Sequence, residues 1–357
     1  MEHFNDAARM LELMGRPAFC VCSGRITHVN TGAAALGVAP GDDLTDMIRT
    51  GAEEYAAFRE GCLYLTLLLE GEPLGASVTR MEHFDVFCLE ELADSRELQA
   101  MALAARELRE PLSTILITAQ RLYPVSAQED SPEVRENAAR LNRGLYQLLR
   151  VVDNMSDAGR YTASMNRQET VDICAEVEEI FRKAAQLVAH TGIRLEYESP
   201  AEPVFSLADR QNLERAILNL VSNAIKFSPR DGVIHASLTR KGKRLYLSIR
   251  DTGSGIAPGL EGDVFTRFQR QCGLEDRRFG IGLGLVLVRS TAAAHGGAVL
   301  IDSPPGGGTR VTMSMAIRQD VGVVRTRMLQ VDYAGELDHS LIELSQFLPH
   351  TLYENEI

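Results

Sequence analysis

No apolar run in this 357-residue sequence reaches the roughly 18 to 20 residues needed to span a bilayer. The longest candidate, around Leu63 to Leu69, is strand-sized, so no membrane span is expected. The N-terminus, MEHFNDAARM, lacks the basic start and apolar core of a signal peptide. Basic charge is also short: 37 Lys and Arg face 49 Asp and Glu, a formal net charge of -12. That balance argues against nucleic acid or an anionic membrane as the main partner, while leaving room for a small basic pocket for phosphate. The cysteines (Cys20, Cys22, Cys62, Cys88, Cys174, Cys272) are scattered without metal-ligand spacing. Free buried thiols in a reducing cytoplasm are the expectation.

What is present is an ordinary globular composition, 45% hydrophobic and 24% charged. A chain of this length holds about two or three domains. From Met10 to about Glu90, PAFCVCSG and RITHVN read as a hairpin pair, and TGAAALG as a small-residue helix. CLYLTLLLEG, EPLGASVTRM and HFDVFCLEE follow as three strand candidates. The pattern, notably HVNTGAAALGVAPGDDL, resembles a PAS-type sensor domain, a fold that holds a small ligand or mediates dimerisation.

A helical signal comes next. Leu98, Met101, Ala105, Leu108, Leu112, Ile115, Ala119 and Leu122 recur at spacings of three and four, a heptad seam. Tyr123-Pro124 closes it, and Ser131-Pro132-Glu133 restarts a helix with a capping serine and a proline in the first turn. The second seam is Val134, Ala138, Leu141, Leu145, Leu148, Val152 and Met155. Two such arms form an antiparallel hairpin that cannot bury both seams alone, so a dimeric four-helix bundle is expected. From Thr162 to Ile317 helices alternate with strand candidates, the pattern of an α/β sandwich. The resulting division is 1–90, 91–160, 161–318 and a tail, 319–357, whose one apolar helix candidate, DHSLIELSQFL, carries no recognisable chemistry.

Four stretches of the third region bear on function. In LERAILNLVSNAIKFSP, Asn219, Asn223 and Lys226 share one helix face, two amide oxygens suited to a hard cation and an ammonium suited to phosphate. In RDTGSGI a strand runs into Asp251, an acceptor for an exocyclic amine, with Gly253 and Gly255 permitting close backbone approach. In FGIGLGLVLVR, Gly280, Gly282 and Gly284 lead into an apolar helix, whose exposed N–H groups suit an anion. PPGGGTRV supplies a glycine turn with Thr309. Phe265, Phe268, Arg270, Arg277 and Arg278 suit a lid over phosphates.

In this order the stretches resemble the N, G1, F/G2 and final glycine motifs of the histidine-kinase ATP-binding domain, of the GHKL type, and AHGG (294–297) fits the same pattern. The resemblance implies ATP with Mg²⁺, with Asp251 on adenine, Asn219 and Asn223 on the metal, and Lys226 and the lid arginines on phosphates. It makes the whole chain a multidomain α+β protein: PAS-like sensor, helical hairpin, GHKL-type sandwich. ATPases of the same fold place a glutamate where Asn219 stands, and a neutral amide cannot act as a general base. Plain hydrolysis is therefore disfavoured against phosphoryl transfer.

The family's bundle carries a motif of the form H-E-L-R-T-P-L. Here it reads Arg106-Glu107-Leu108-Arg109-Glu110-Pro111-Leu112. Glu107 stands as the base beside the acceptor position, but the acceptor is Arg106, a guanidinium without a free lone pair. Glu110 replaces the threonine that assists dephosphorylation of a response regulator. None of the eight histidines (His3, His28, His83, His190, His235, His295, His339, His350) lies on either arm. Three readings stay open: a pseudokinase or heterodimer partner of another histidine kinase, a kinase acting on a partner in trans, and a non-enzymatic PAS scaffold.

Overall fold

A computed structural model describes residues 10–91, 103–105, 107–109, 111–115, 118–119, 131–158, 168–200, 202–256, 265, 284–318 and 338–354. The N-terminal part holds strands β1 (Ala18–Cys22), β2 (Arg25–Val29), β3 (Ile48–Thr50), β4 (Cys62–Leu69), β5 (Glu72–Arg80) and β6 (Asp85–Glu91), with short helices α1 (Thr31–Ala34), α2 (Leu44–Met47) and α3 (Ala52–Ala57). Strands β1, β2, β4, β5 and β6 fall on runs the sequence marks as β-forming, while the short β3 falls outside them. The hairpin turns β1–β2 and β4–β5 follow from Ser23-Gly24 and Glu70-Gly71, pairs with positive φ at both residues. Such turns match the right-handed strand twist.

The second half begins with helix α4 (Pro132–Ala158), then β7 (Glu169–Asp172), helix α5 (Ile173–Val188), β8 (Arg194–Glu198), β9 (Phe205–Ala208) and helix α6 (Arg210–Phe227). Strands β10 (Val233–Lys241) and β11 (Arg244–Arg250) precede helix α7 (Gly284–Ala294), β12 (Val299–Asp302) and β13 (Arg310–Ala316). In β11 the alternation is plain: Leu245, Leu247 and Ile249 are buried between partly exposed neighbours. These side chains meet Phe181, Leu213, Ile217, Leu220 and Val288 of the helices in one core. The alternating run thus becomes one face of a sandwich.

One sheet runs through both halves, in the order β2-β1-β6-β5-β4-β12-β13-β11-β10-β8. The junction is antiparallel pairing of β4 with β12, Leu63 opposite Leu300. Ala298 is buried in the N-terminal core, and Arg244 crosses to Glu54 at 2.8 Å and Glu53 at 3.3 Å. Arg289, fully buried, pairs with Glu90 and lies 4.4 Å from the Tyr64 ring centroid.

The helical hairpin splits each seam. Ala105, Leu112 and Ala119 on the first arm are buried, as are Ala138, Leu145 and Val152 on α4. Leu108, Ile115, Leu141 and Leu148, the alternate heptad positions, stand 40–51% exposed. Leu98, Met101 and Leu122 lie outside the described residues. The opposite side of α4 is covered by the C-terminal segment, helix α8 (His339–Leu344) and a turn at His350–Tyr353. There Tyr146 and Tyr353 meet edge to face at 5.1 Å, and Asn142 donates to the Tyr353 carbonyl at 3.1 Å.

Candidate nucleotide-binding site

Two of the four motif stretches interlock at the end of β11. Asp251 is 5% exposed, and its Oδ1 accepts the N–H groups of Gly253 at 2.8 Å and Thr309 at 3.1 Å. The Asp251 N–H in turn donates to the Thr309 carbonyl at 2.9 Å. Burial pushes the Asp251 carboxyl above its ordinary value, against the pull of the hydrogen bonds from Gly253 and Thr309. Glycine is required at two of these positions. A Cβ at Gly253 would lie 2.1 Å from the Phe227 carbonyl oxygen, and one at Gly308, which has φ +81, would lie 2.0 Å from the Asp251 carbonyl oxygen.

Helix α6 brings the third stretch alongside. Asp209 caps it by accepting from the Asn212 N–H at 3.1 Å, and it ends at Ser228, whose extended backbone is what a following proline imposes. Asn219 is 2% exposed, while Asn223 and Lys226 are half-buried and the Lys226 ammonium sits 5.0 Å from the Phe227 ring centroid. Asn219 packs against the start of α7: a Cβ at Gly284 would lie 2.7 Å from its Oδ1. The glycine is what lets the two helices approach at the amide.

The structure describes part of the residue set that the sequence singles out. Asn219, Asn223, Lys226, Asp251, Gly253, Gly255, Gly284 and Thr309 are described, and Asp251 with Thr309, and Asn219 with Gly284, are in contact. Phe268, Arg270, Arg277, Arg278, Gly280 and Gly282 lie outside the described residues, as do Arg106 and Glu110. Glu107 is exposed on the first arm of the hairpin.

Sequence reasoning missed a charged cluster behind Asn219. Glu343 of α8 is fully buried and pairs with Arg215 of α6 at 3.4 Å and Arg150 of α4 at 3.2 Å. Arg150 also donates to the Ser222 hydroxyl at 2.7 Å. The i, i+4 spacing of Arg215 and Asn219 on α6 could have flagged the helix side of the cluster, but nothing in DHSLIEL points to its carboxylate partner.

The residues fit an adenine nucleotide with a hard cation. A buried carboxylate held by backbone amides suits an exocyclic amine, and amide oxygens suit Mg²⁺. Among the described residues no cluster of His, Cys, Asp and Glu could hold a metal, and no helix is long and apolar enough to cross a membrane.

Comparison with known proteins agrees with this geometry. Residues 208–319 match the histidine kinase-, DNA gyrase B-, and HSP90-like ATPase family. Hybrid signal transduction histidine kinase D of Dictyostelium discoideum is 29% identical over 63% of this chain and 15% of its own length. The sensor-like histidine kinase SenX3 of Mycobacterium tuberculosis is 29% identical over 60% of this chain and 52% of its own. Histidine protein kinase DivJ of Caulobacter vibrioides is 30% identical over 64% of this chain and 40% of its own. This chain thus spans about half or less of the length of these relatives. A buried aspartate interlocked with the final glycine turn, an asparagine helix against a glycine helix start, and these matches lead to one assignment: residues 208–319 form a histidine kinase-, DNA gyrase B-, and HSP90-like ATPase domain, in a chain similar to histidine kinases.

Proposed function

We propose that this chain is an ATP-binding signalling protein that has lost self-phosphorylation, acting as a pseudokinase or as the partner of another histidine kinase. The observation that carries the reading is the occurrence of the nucleotide-motif residues, from Asn219 to Thr309, in one chain with arginine at position 106. Asp251 would take the adenine amine on its carboxylate, with Thr309 and Gly253 holding that carboxylate in place. Asn219 and Asn223 would hold Mg²⁺ by their amide oxygens, and Lys226, with the arginines of the stretch between Phe265 and Gly284, would meet the phosphates. Bound Mg²⁺ supplies charge neutralisation of the phosphate oxygens.

At position 106 no proton-free nitrogen is available at physiological pH. Glu107 beside it therefore has no imidazole to orient, and Glu110 lacks the hydroxyl that would direct water to a phosphorylated response regulator.

The bare heptad positions Leu108, Ile115, Leu141 and Leu148 support a second hairpin packed across them, from another copy of this chain or from a related kinase. The alternation of short strands and helices before residue 91 supports a PAS-like sensor.

The test is incubation of the purified chain with γ-labelled ATP, beside the Arg106→His variant. The wild type is expected to bind nucleotide and stay unlabelled, and the variant to gain acid-labile label. Self-labelling of the wild type on either hairpin arm would overturn the reading.

A further inference from the structure

The C-terminal segment is built into the nucleotide domain. Leu341, Ile342, Leu344 and Leu348 are buried, His339 meets Glu214 of α6 at 2.7 Å, and Arg143 of α4 donates to the carbonyls of Ser345 at 3.2 Å and Gln346 at 3.0 Å. At the centre of this contact stands a carboxylate with no solvent exposure, between two guanidinium groups from two different helices. A buried ion pair of this kind is weak support for stability by itself, because desolvation offsets attraction. Its value lies in what it orients.

That is the Asn219 amide. The Nδ2 of Asn219 faces two groups that can only accept: the Arg215 carbonyl at 3.0 Å and Glu343 Oε2 at 3.5 Å. The amide therefore has one satisfactory orientation, nitrogen toward the tail and oxygen toward Gly284. With a carbonyl alone on that side, the flipped amide would set one oxygen against one oxygen; with the carboxylate added, it would set its oxygen against a charge as well. Arg150 ties the same carboxylate to Ser222, which neighbours Asn223.

We infer that Glu343, delivered by the C-terminal segment, is a positioning residue for the nucleotide site, fixing Asn219 so that its oxygen is presented toward the metal-phosphate end. The inference rests on the ATP reading above. It gives the tail a role that its sequence does not announce, and it makes the site depend on the helical hairpin through Arg150. Glu343 touches neither nucleotide nor metal; its effect passes through Asn219 and Arg150.

The experiment is calorimetric titration of the full chain with a non-hydrolysable ATP analogue, once with Mg²⁺ and once with chelator. Glu343→Gln is expected to weaken binding about tenfold with Mg²⁺, the lower end of what loss of an orienting partner costs a metal site. With chelator its affinity should stay within about twofold of wild type, since the Asp251 end is untouched. Arg150→Gln, which removes one of the two guanidiniums on the same carboxylate, should show the same selective loss and serves if Glu343→Gln does not fold. A loss that is equal in both conditions is the mark of a merely structural role and overturns the inference, as does no loss, or wild-type binding that ignores Mg²⁺. A wild-type chain that binds the analogue in neither condition overturns the ATP reading beneath it.

Discussion

Arg109 reaches from the first arm of the hairpin to Asp153 on α4, with 3.1 Å between Nη2 and Oδ1 and the carboxylate only 2% exposed. Arg109, three positions after Arg106, thus closes an ion pair across the two arms in which the carboxylate is buried and the guanidinium partly exposed. Arg109→Met should destabilise the chain by about 2–4 kcal/mol at pH 7, because it leaves a buried carboxylate short of its partner. Burial already pushes the Asp153 carboxyl above its ordinary value, with Arg215 and Arg109 opposing that shift. The variant's Asp153 therefore takes up a proton more readily, and its deficit should shrink as pH falls from 7 toward 5. Urea denaturation of both proteins at the two pH values measures this; a deficit that grows on acidification would contradict it.

Asp251→Asn separates binding from stability. An acid whose folded pKa is raised binds more protons folded than unfolded in the window just above 3.8, so its ionised form lowers stability at neutral pH. The amide removes that cost while keeping an oxygen for the Gly253 and Thr309 N–H groups. With adenine placed as proposed above, its NH₂ would face the donor amine of the base. Affinity should fall on the order of a hundredfold, about 2–3 kcal/mol, with an unchanged or higher melting temperature. Calorimetric titration and thermal melting check the two halves.

His295, within AHGG, is 2% exposed; its Nε2 accepts the Asp209 N–H at 3.2 Å and its Nδ1 meets the Thr291 carbonyl at 2.7 Å. The ring is therefore neutral with the proton on Nδ1, and burial holds its pKa below the ordinary 6.5. The unfolded chain binds the extra proton first, so stability is fully present above 6.5 and is lost as pH falls below it. The expected slope from this group approaches about 1.4 kcal/mol per pH unit. His295→Gln should be less stable at pH 7.5 but show a flatter decline to pH 5.5. Equal slopes in parallel urea titrations would sink the assignment.

Most strands, though not the short β3 and β7, and the nucleotide motifs are legible in the sequence because both write themselves locally. The alternation in RLYLSIR, the Asp-Thr-Gly-Ser-Gly turn and the Asn-x-x-x-Asn helix face need only neighbours in the chain. Long-range choices were not legible. Nothing in CLYLTLLL distinguishes an edge that stays free from one that takes β12, a partner more than two hundred residues away. The spacing predicts one apolar stripe on α4, yet Tyr146 and Leu149, outside it, are buried while Leu141 and Leu148 within it are exposed. The difference is the tail, which covers the other side of the helix. Glu343 shows the same limit: a glutamate among leucines reads as a solvated charge until two arginines from separate helices meet it.

Gly284→Ala sets helix propensity against the site. Alanine is favoured over glycine by up to about 1 kcal/mol in a helix, less at its first residue, so the substitution taken alone would stabilise α7. Its methyl, however, would lie 2.7 Å from Asn219 Oδ1, and Asn219 is 2% exposed with its nitrogen held by the Arg215 carbonyl. The amide cannot swing away without leaving a buried donor unsatisfied, which costs about 1–3 kcal/mol. The repulsion therefore outweighs propensity, and the amide oxygen is displaced from the side where the glycine-led helix begins. Melting temperature should stay level or fall slightly, while affinity for an ATP analogue with Mg²⁺ should drop on the order of tenfold or more. A variant that melts higher and binds as tightly as wild type would mean that the Asn219–Gly284 contact does not belong to the nucleotide site.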